Sequence, residues 1–276
     1  MRALIWAELY KLYRQPRTYY ALGAIVLMEV VILFSAYYQG SALIDILLSN
    51  LKQSFYFKGD LLNGNLLVYV ILNTIWFHLP LLLMIIVSGL LTSEYKDGTL
   101  RSIFLQPVSK FKFVLSKYFV AMLFTMVAIF FLMLTAFGLS YTIFGQGDLI
   151  VYLETLNFFE NKDAMMRLFW AYLSGTVTMM FYSVVSLTIA IFFRDTTITW
   201  ILATFFLILS NLMLRVDFGT SIWGKLLYVK LGESWQHFFY YDINWQEIVL
   251  NNIILLGYTV IVMGFGILVF KQRDIA

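Results

Sequence analysis

Gly219-Thr220-Ser221-Ile222-Trp223-Gly224-Lys225-Leu226 carries the glycines and lysine of a phosphate-cradling loop, but Leu226 stands where a Ser/Thr hydroxyl would hold Mg²⁺. The two histidines, His78 and His237, are far apart in the chain, and neither belongs to an H-E-x-x-H pair that would bind zinc. Cysteine is absent, so disulfides and thiolate metal sites are excluded. No Gly-x-Ser-x-Gly elbow presents a serine nucleophile. An intramembrane hydrolase would thus lack a plausible nucleophile and base, and no catalytic, cofactor-binding or metal-binding set is expected. Any energy source that drives this chain has to be supplied by another one.

The elements available to position functional groups are apolar helices. Of 276 residues, 61% are hydrophobic and only 13% charged, against about 25% charged in soluble domains. A bilayer core about 30 Å thick needs about 20 apolar helical residues, and six windows meet that length: about 19–38, 67–91, 113–144, 168–193, 198–214 and 248–270. The windows are continuously apolar rather than alternating in period two, so the expected fold is an all-α integral membrane protein and not a barrel. The third window is long enough to tilt or to project beyond the lipid. The run after Arg17 is too long for a signal-peptide h-region and has no small-x-small cleavage signature, so it is expected to be a true first span.

An even number of spans places both termini on one side. Twelve of the 19 Lys and Arg fall on that side: Arg2, Lys11, Arg14 and Arg17 before span 1, five from Lys96 to Lys117, then Arg194, Lys271 and Arg273. The positive-inside rule therefore predicts cytoplasmic termini in a multi-pass protein of the cell membrane, inner or plasma. On the same side lies a basic polar insert between spans 2 and 3, Ser93-Glu94-Tyr95-Lys96-Asp97-Gly98-Thr99-Leu100-Arg101 continuing through Gln106-Pro107-Val108-Ser109-Lys110. Gly98 permits a tight turn, Asp97 or Thr99 supplies a helix cap, and Pro107 ends the short helix between them. Such a helix can dock a cytoplasmic partner through Ile103, Phe104 and Leu105; the plainer role is a basic loop that sets topology. The basic residues border the membrane without an exposed aromatic platform, so nucleic acid is not an expected ligand.

Residues 2–17 fit an amphipathic interfacial helix with Ile5, Leu9, Leu12 and Tyr13 on one side and Arg2, Glu8, Lys11 and Gln15 largely on the other, ending near Pro16. Leu43, Ile44, Leu47, Leu48, Leu51 and Phe55 have helical spacing as well and predict a second amphipathic, surface-lying helix on the outer side. In the last external segment the aromatics Trp223, Tyr228, Trp235, Phe238, Phe239, Tyr240, Tyr241 and Trp245 are read as headgroup-level anchors before substrate contacts. Within the spans, Glu29, Asn73, His78 and Asn211 are the candidate substrate-pathway residues. Hydrogen bonding between helices is the competing role for each of them.

The insert, as Glu94-x-x-x-Gly98-Thr99-Leu100-x6-Pro107-Val108-Ser109-Lys110 with Lys117 following, resembles the signature after the second span of ABC-2 type exporter permeases, which more often have arginine where Lys110 stands. Glu8-Leu9-Tyr10-Lys11-Leu12-Tyr13-Arg14, the turn Phe192-Phe193-Arg194-Asp195 and the ending Phe270-Lys271-Gln272-Arg273-Asp274-Ile275 are similar to the same family. The resemblance implies a single transmembrane domain over 1–276 without a nucleotide-binding domain. It further implies a second permease subunit, identical or paralogous, and two copies of a separate cytoplasmic ATPase that binds ATP and Mg²⁺. Export would run between the permease halves, and Glu94, Gly98, Thr99, Leu100, Arg101, Pro107 and Lys110 would couple them to the ATPase. The alternative is a non-transporting membrane sensor or scaffold whose insert docks a signalling partner.

Overall fold

Helix boundaries in the computed structural model follow local chemistry that can be read residue by residue. The structure describes residues 1–47, 61–153, 156–216, 224 and 226–273, with 41–47 as backbone only. Helix α1 (Arg2–Arg14) stops at Gln15, whose backbone is extended, and α2 (Pro16–Leu47) starts on a proline, the residue whose fixed φ and missing N–H suit a first helical turn. Asn63 caps α3 (Gly64–Lys96) by accepting from the Leu66 N–H at 3.1 Å. Ser109 caps α5 (Lys110–Phe144) and Asp195 caps α7 (Thr196–Leu214) in the same way. Between α3 and α5 lies the short α4 (Thr99–Phe104). Helix α6 (Asn161–Phe193) closes on Arg194 in the left-handed conformation.

The six long helices each contain one of the predicted windows and are long and apolar enough to cross a membrane. Helix α5, with 35 residues, spans about 52 Å at about 1.5 Å per residue and extends well past a hydrocarbon core. The chain then turns through a two-stranded antiparallel hairpin, β1 (Leu149–Tyr152) and β2 (Leu156–Phe159), with Leu149 opposite Phe159. No strand was expected there, since four-residue strands inside a polar loop leave no periodic signal. Past α7 come α8 (Tyr228–Gly232), a 3₁₀ turn (Ser234–Phe239) and α9 (Trp245–Gln272).

Helices α3 and α6 form the centre: 56% and 67% of their most apolar windows are buried, against 22% for the first, fifth and sixth spans. Gly175 on α6 allows this closeness, since a Cβ there would collide with the Trp76 ring of α3. Hydroxyls tie the centre together, Ser186 donating to the Met84 carbonyl at 2.6 Å and Thr125 meeting Ser183 at 2.7 Å, the kind of interhelical bond that lipid cannot replace.

Two expectations are corrected here. Glu8 is not on an outer polar side of α1; it is buried with Leu12, while Tyr13 is exposed. Trp235, Phe238 and Phe239 are likewise not headgroup anchors but core residues, with Trp235 against Trp76 (ring centroids 5.0 Å) and Phe239 against Tyr69 (4.8 Å). Tyr240, Tyr241 and Trp245 remain exposed. Trp223, most of the 219–226 loop and most of the amphipathic segment after residue 43 lie outside the described residues.

Candidate functional site

Lys117, about two turns into α5, is 1% exposed. An ammonium group so deeply placed has to be matched by charge, and its Nζ is: it donates to Glu8 Oε2 at 2.8 Å and to the Leu90 carbonyl at 2.8 Å, and lies 2.9 Å from Glu94 Oε1. Lys11 completes the set, at 2.8 Å from Glu8 Oε1 and 2.6 Å from Glu94 Oε1. Two carboxylates and two ammonium groups thus join α1, the last turn of α3 and the second turn of α5 into a neutral cluster. Burial alone would raise the Glu8 pKa, but Lys117 and the hydrogen bonds from both lysines outweigh it and hold the carboxyl below its ordinary range. Burial would lower Lys11, and its bonds to Glu8 and Glu94 reverse that, raising it.

Helix α4 hangs directly from this cluster. Gly98 adopts φ 65° between Lys96 and Thr99 with open space around it, so the requirement for glycine is conformational and not steric. Leu100 is buried beneath α4, and Phe104 packs on Phe113 of α5 and Phe270 of α9 at centroid distances of 5.2 and 6.2 Å. The opposite face of α4 carries Thr99 and Arg101 and runs out at Leu105, which is 85% exposed. The C-terminal end braces the same region: Arg273 donates to the last carbonyls of α6, Ile191 and Phe192, and its own carbonyl accepts from Lys110 Nζ at 2.8 Å.

The residues predicted to touch a partner therefore divide in two. Gly98, Thr99, Arg101 and Pro107 are exposed. Glu94 and Leu100 are buried inside the chain, and Lys110 is half-buried on Arg273. Glu94 is turned inward because Lys117 needs a counter-charge, and Leu100 because it is the apolar underside of α4. Sequence reasoning missed Lys117 as a partner of Glu8. The available signal was a lysine on the same helical face as Phe113, Val114, Tyr118 and Ala121, all buried.

Of the four intramembrane candidates, only Asn73 and Asn211 are brought together. Glu29 is wholly buried, accepting from Thr135 Oγ1 of α5 at 2.9 Å, which is the interhelical role. Asn73 and His78 lie on an exposed face of α3, and Asn73 shares a small cavity with Asn211 of α7.

Six membrane-length helices with a short, half-exposed helix suspended between the second and third have the architecture of a transport permease. The chain belongs to the ABC-2 family transporter proteins, whose family model matches residues 4–211, from α1 to near the end of α7. Among curated proteins no match is found. The molecule is thus a multi-pass transmembrane component of the ABC transporter class.

Proposed function

We propose that this chain is one permease half of an ATP-driven exporter, paired with a second permease and with two copies of a separate cytoplasmic ATPase. ATP and Mg²⁺ bind on that ATPase, and this chain contributes no catalytic group. The observation that carries the reading is the suspension of α4. Its outer face offers Arg101 and Leu105 to a partner, while its inner face and the Glu8–Lys11–Glu94–Lys117 cluster connect it to α1, α3 and α5. Close-packed interiors transmit displacement instead of absorbing it, so a push on α4 reaches three helices at once.

The charge bias of the chain puts α1, α4 and both termini in the cytoplasm. The exposed polar face of α3 with Asn73 and His78, beside Asn211 of α7, suits a lining of the path between two permease halves, since polar groups facing lipid alone are costly. Glu29 falls outside that path.

The test is purification from native membranes in mild detergent, with identification of co-purifying chains and assay of vanadate-sensitive ATP hydrolysis. An ATPase in fixed stoichiometry, whose hydrolysis is uncoupled from transport by Gly98→Val, supports the assignment. Normal transport in Gly98→Val, or a chain that is repeatedly isolated alone, overturns it in favour of a sensor or scaffold.

A further inference from the structure

At the end of the bundle opposite the termini, the turn formed by α8 and the 3₁₀ segment roofs a cavity of about 130 Å³ between α3, α6 and α7. That is room for roughly four waters at about 30 Å³ each. Glu233 is the one acid lining it, and no Lys, Arg or His does so among the described residues. The Glu233 carboxylate makes no salt bridge among the described residues; it accepts from Gln236 Nε2 at 2.5 Å.

The rest of the wall is aromatic and acceptor-rich. Trp76 and Trp235 sit at 47° to one another, with Phe77 and Tyr182 beside them. The amide nitrogens of Asn73 and Asn211 are committed to carbonyls one turn earlier in their own helices, Tyr69 and Leu207, at 2.9 Å each, which leaves their amide oxygens as acceptors. The Trp235 side chain is 1% exposed, and its indole N–H makes no standard hydrogen bond among the described residues. It lies near enough to the Glu233 carboxylate to favour its charged form. Burial nonetheless dominates and pushes the Glu233 carboxyl up to about 7, as expected of a carboxylate without a counter-ion.

We propose that this cavity binds an organic ammonium group, with Glu233 as its counter-charge and Trp76 and Phe77 as its aromatic wall. A ring face attracts a desolvated cation, and a carboxylate without a counter-charge beside such rings supplies the charge that a neutral guest would leave unmatched. An anion is disfavoured by Glu233, and an apolar guest would strand the carboxylate and the amide oxygens. The source of the ammonium is a soluble amine, a peptide side chain or a zwitterionic lipid headgroup.

The test uses the full chain in phosphatidylglycerol nanodiscs at pH 8, without nucleotide or ATPase, so its outcome is independent of the permease assignment. Choline is titrated calorimetrically against its uncharged isostere 3,3-dimethyl-1-butanol. Saturable binding of choline at one site per chain is expected, with none for the isostere. Glu233→Gln should weaken it at least about tenfold and Phe77→Leu by less, as the loss of a full counter-charge exceeds that of one ring. Glu233→Asp should retain most of the affinity, which separates charge from folding. Repeating the titration with phosphatidylcholine in the disc identifies the source: a lower apparent affinity there points to the headgroup, an unchanged one to a soluble or peptide amine. No saturable choline binding, equal binding of the isostere, or equal affinity in Glu233→Gln overturns the proposal.

Discussion

The two ends of the bundle treat inward-facing carboxylates in opposite ways. At the terminal end, Glu8 and Glu94 share Lys11 and Lys117 in a charge-balanced set. At the other end, Glu233 has an amide and an indole for company, and its carboxyl is pushed up to about 7. The matched Glu8 carboxyl is held below its ordinary range and acts as a fixed joint between helices. An unmatched one sits near its titration point and remains open to a proton or a cation. The difference fits the proposed functions, in which the terminal end carries force and the opposite end responds to a guest.

Breaking the joint should produce the largest effect. Lys117→Met leaves two buried carboxylates to Lys11 alone and is expected to cost about 3–5 kcal/mol of stability, measured by unfolding in lipid discs. Adding Glu8→Gln to Lys117→Met should recover a substantial part of that loss, because the excess negative charge is removed; no recovery would mean that Lys117 acts through packing.

At the other end the effect is smaller and depends on pH. The folded chain holds the Glu233 proton up to about 7, whereas the unfolded chain releases it around the ordinary carboxyl value of 4.5. The stabilising contribution of this group is therefore complete below 4.5 and lost as pH rises to about 7 and beyond. Glu233→Gln should remove that dependence and be the more stable form at pH 8 by about 2–3 kcal/mol. Tyr182 is the other titratable group lining the cavity and is common to both proteins. Identical pH profiles for the two proteins would show that Glu233 is matched after all.

The link between the joint and α4 comes next. Gly98→Val forces a β-branched residue to φ 65°, a strain of about 1–2 kcal/mol, and should shift the α4 attachment without unfolding the bundle. Gly98→Asn, which tolerates the left-handed region, should keep transport near the wild-type level; equal loss in both would mean that space, not conformation, is what Gly98 provides.

The smallest effect on stability, within about 0.5 kcal/mol, is expected for Leu105→Ser with Arg101→Ala on the exposed face of α4. If the proposed function holds, these changes should nevertheless reduce retention of the partner ATPase. Full retention would move the contact away from this face.

Much of this architecture was legible residue by residue. The six windows, the turn at Gly98 and the helix beyond it, and the stop near Pro16 all depend on properties confined to a few neighbouring residues. Glu94 and Leu100 were read as part of a contact surface, which is where a polar insert would put them if nothing behind it needed them. The aromatics at 235, 238 and 239 were read as anchors because composition cannot distinguish a ring at a headgroup from one on Trp76 or Tyr69. The β1–β2 hairpin was missed because its pairing is its only regular feature.

The sequence by itself determined the class of protein, the number and placement of its spans, the expected side of its termini and the position of the short helix between α3 and α5. Hydropathy over one bilayer thickness and caps within one helical turn are local quantities, and local quantities survive in a linear chain. Tertiary structure alone decided which charges meet. Glu8 and Lys117, or Glu29 and Thr135, are brought together by helix packing across long stretches of chain, and Glu233 is left without a counter-charge among the described residues by the same packing. The energy of a buried charge depends on what lies within a few ångströms of it in space, so no pattern along the sequence could distinguish the joint at one end from the open carboxylate at the other.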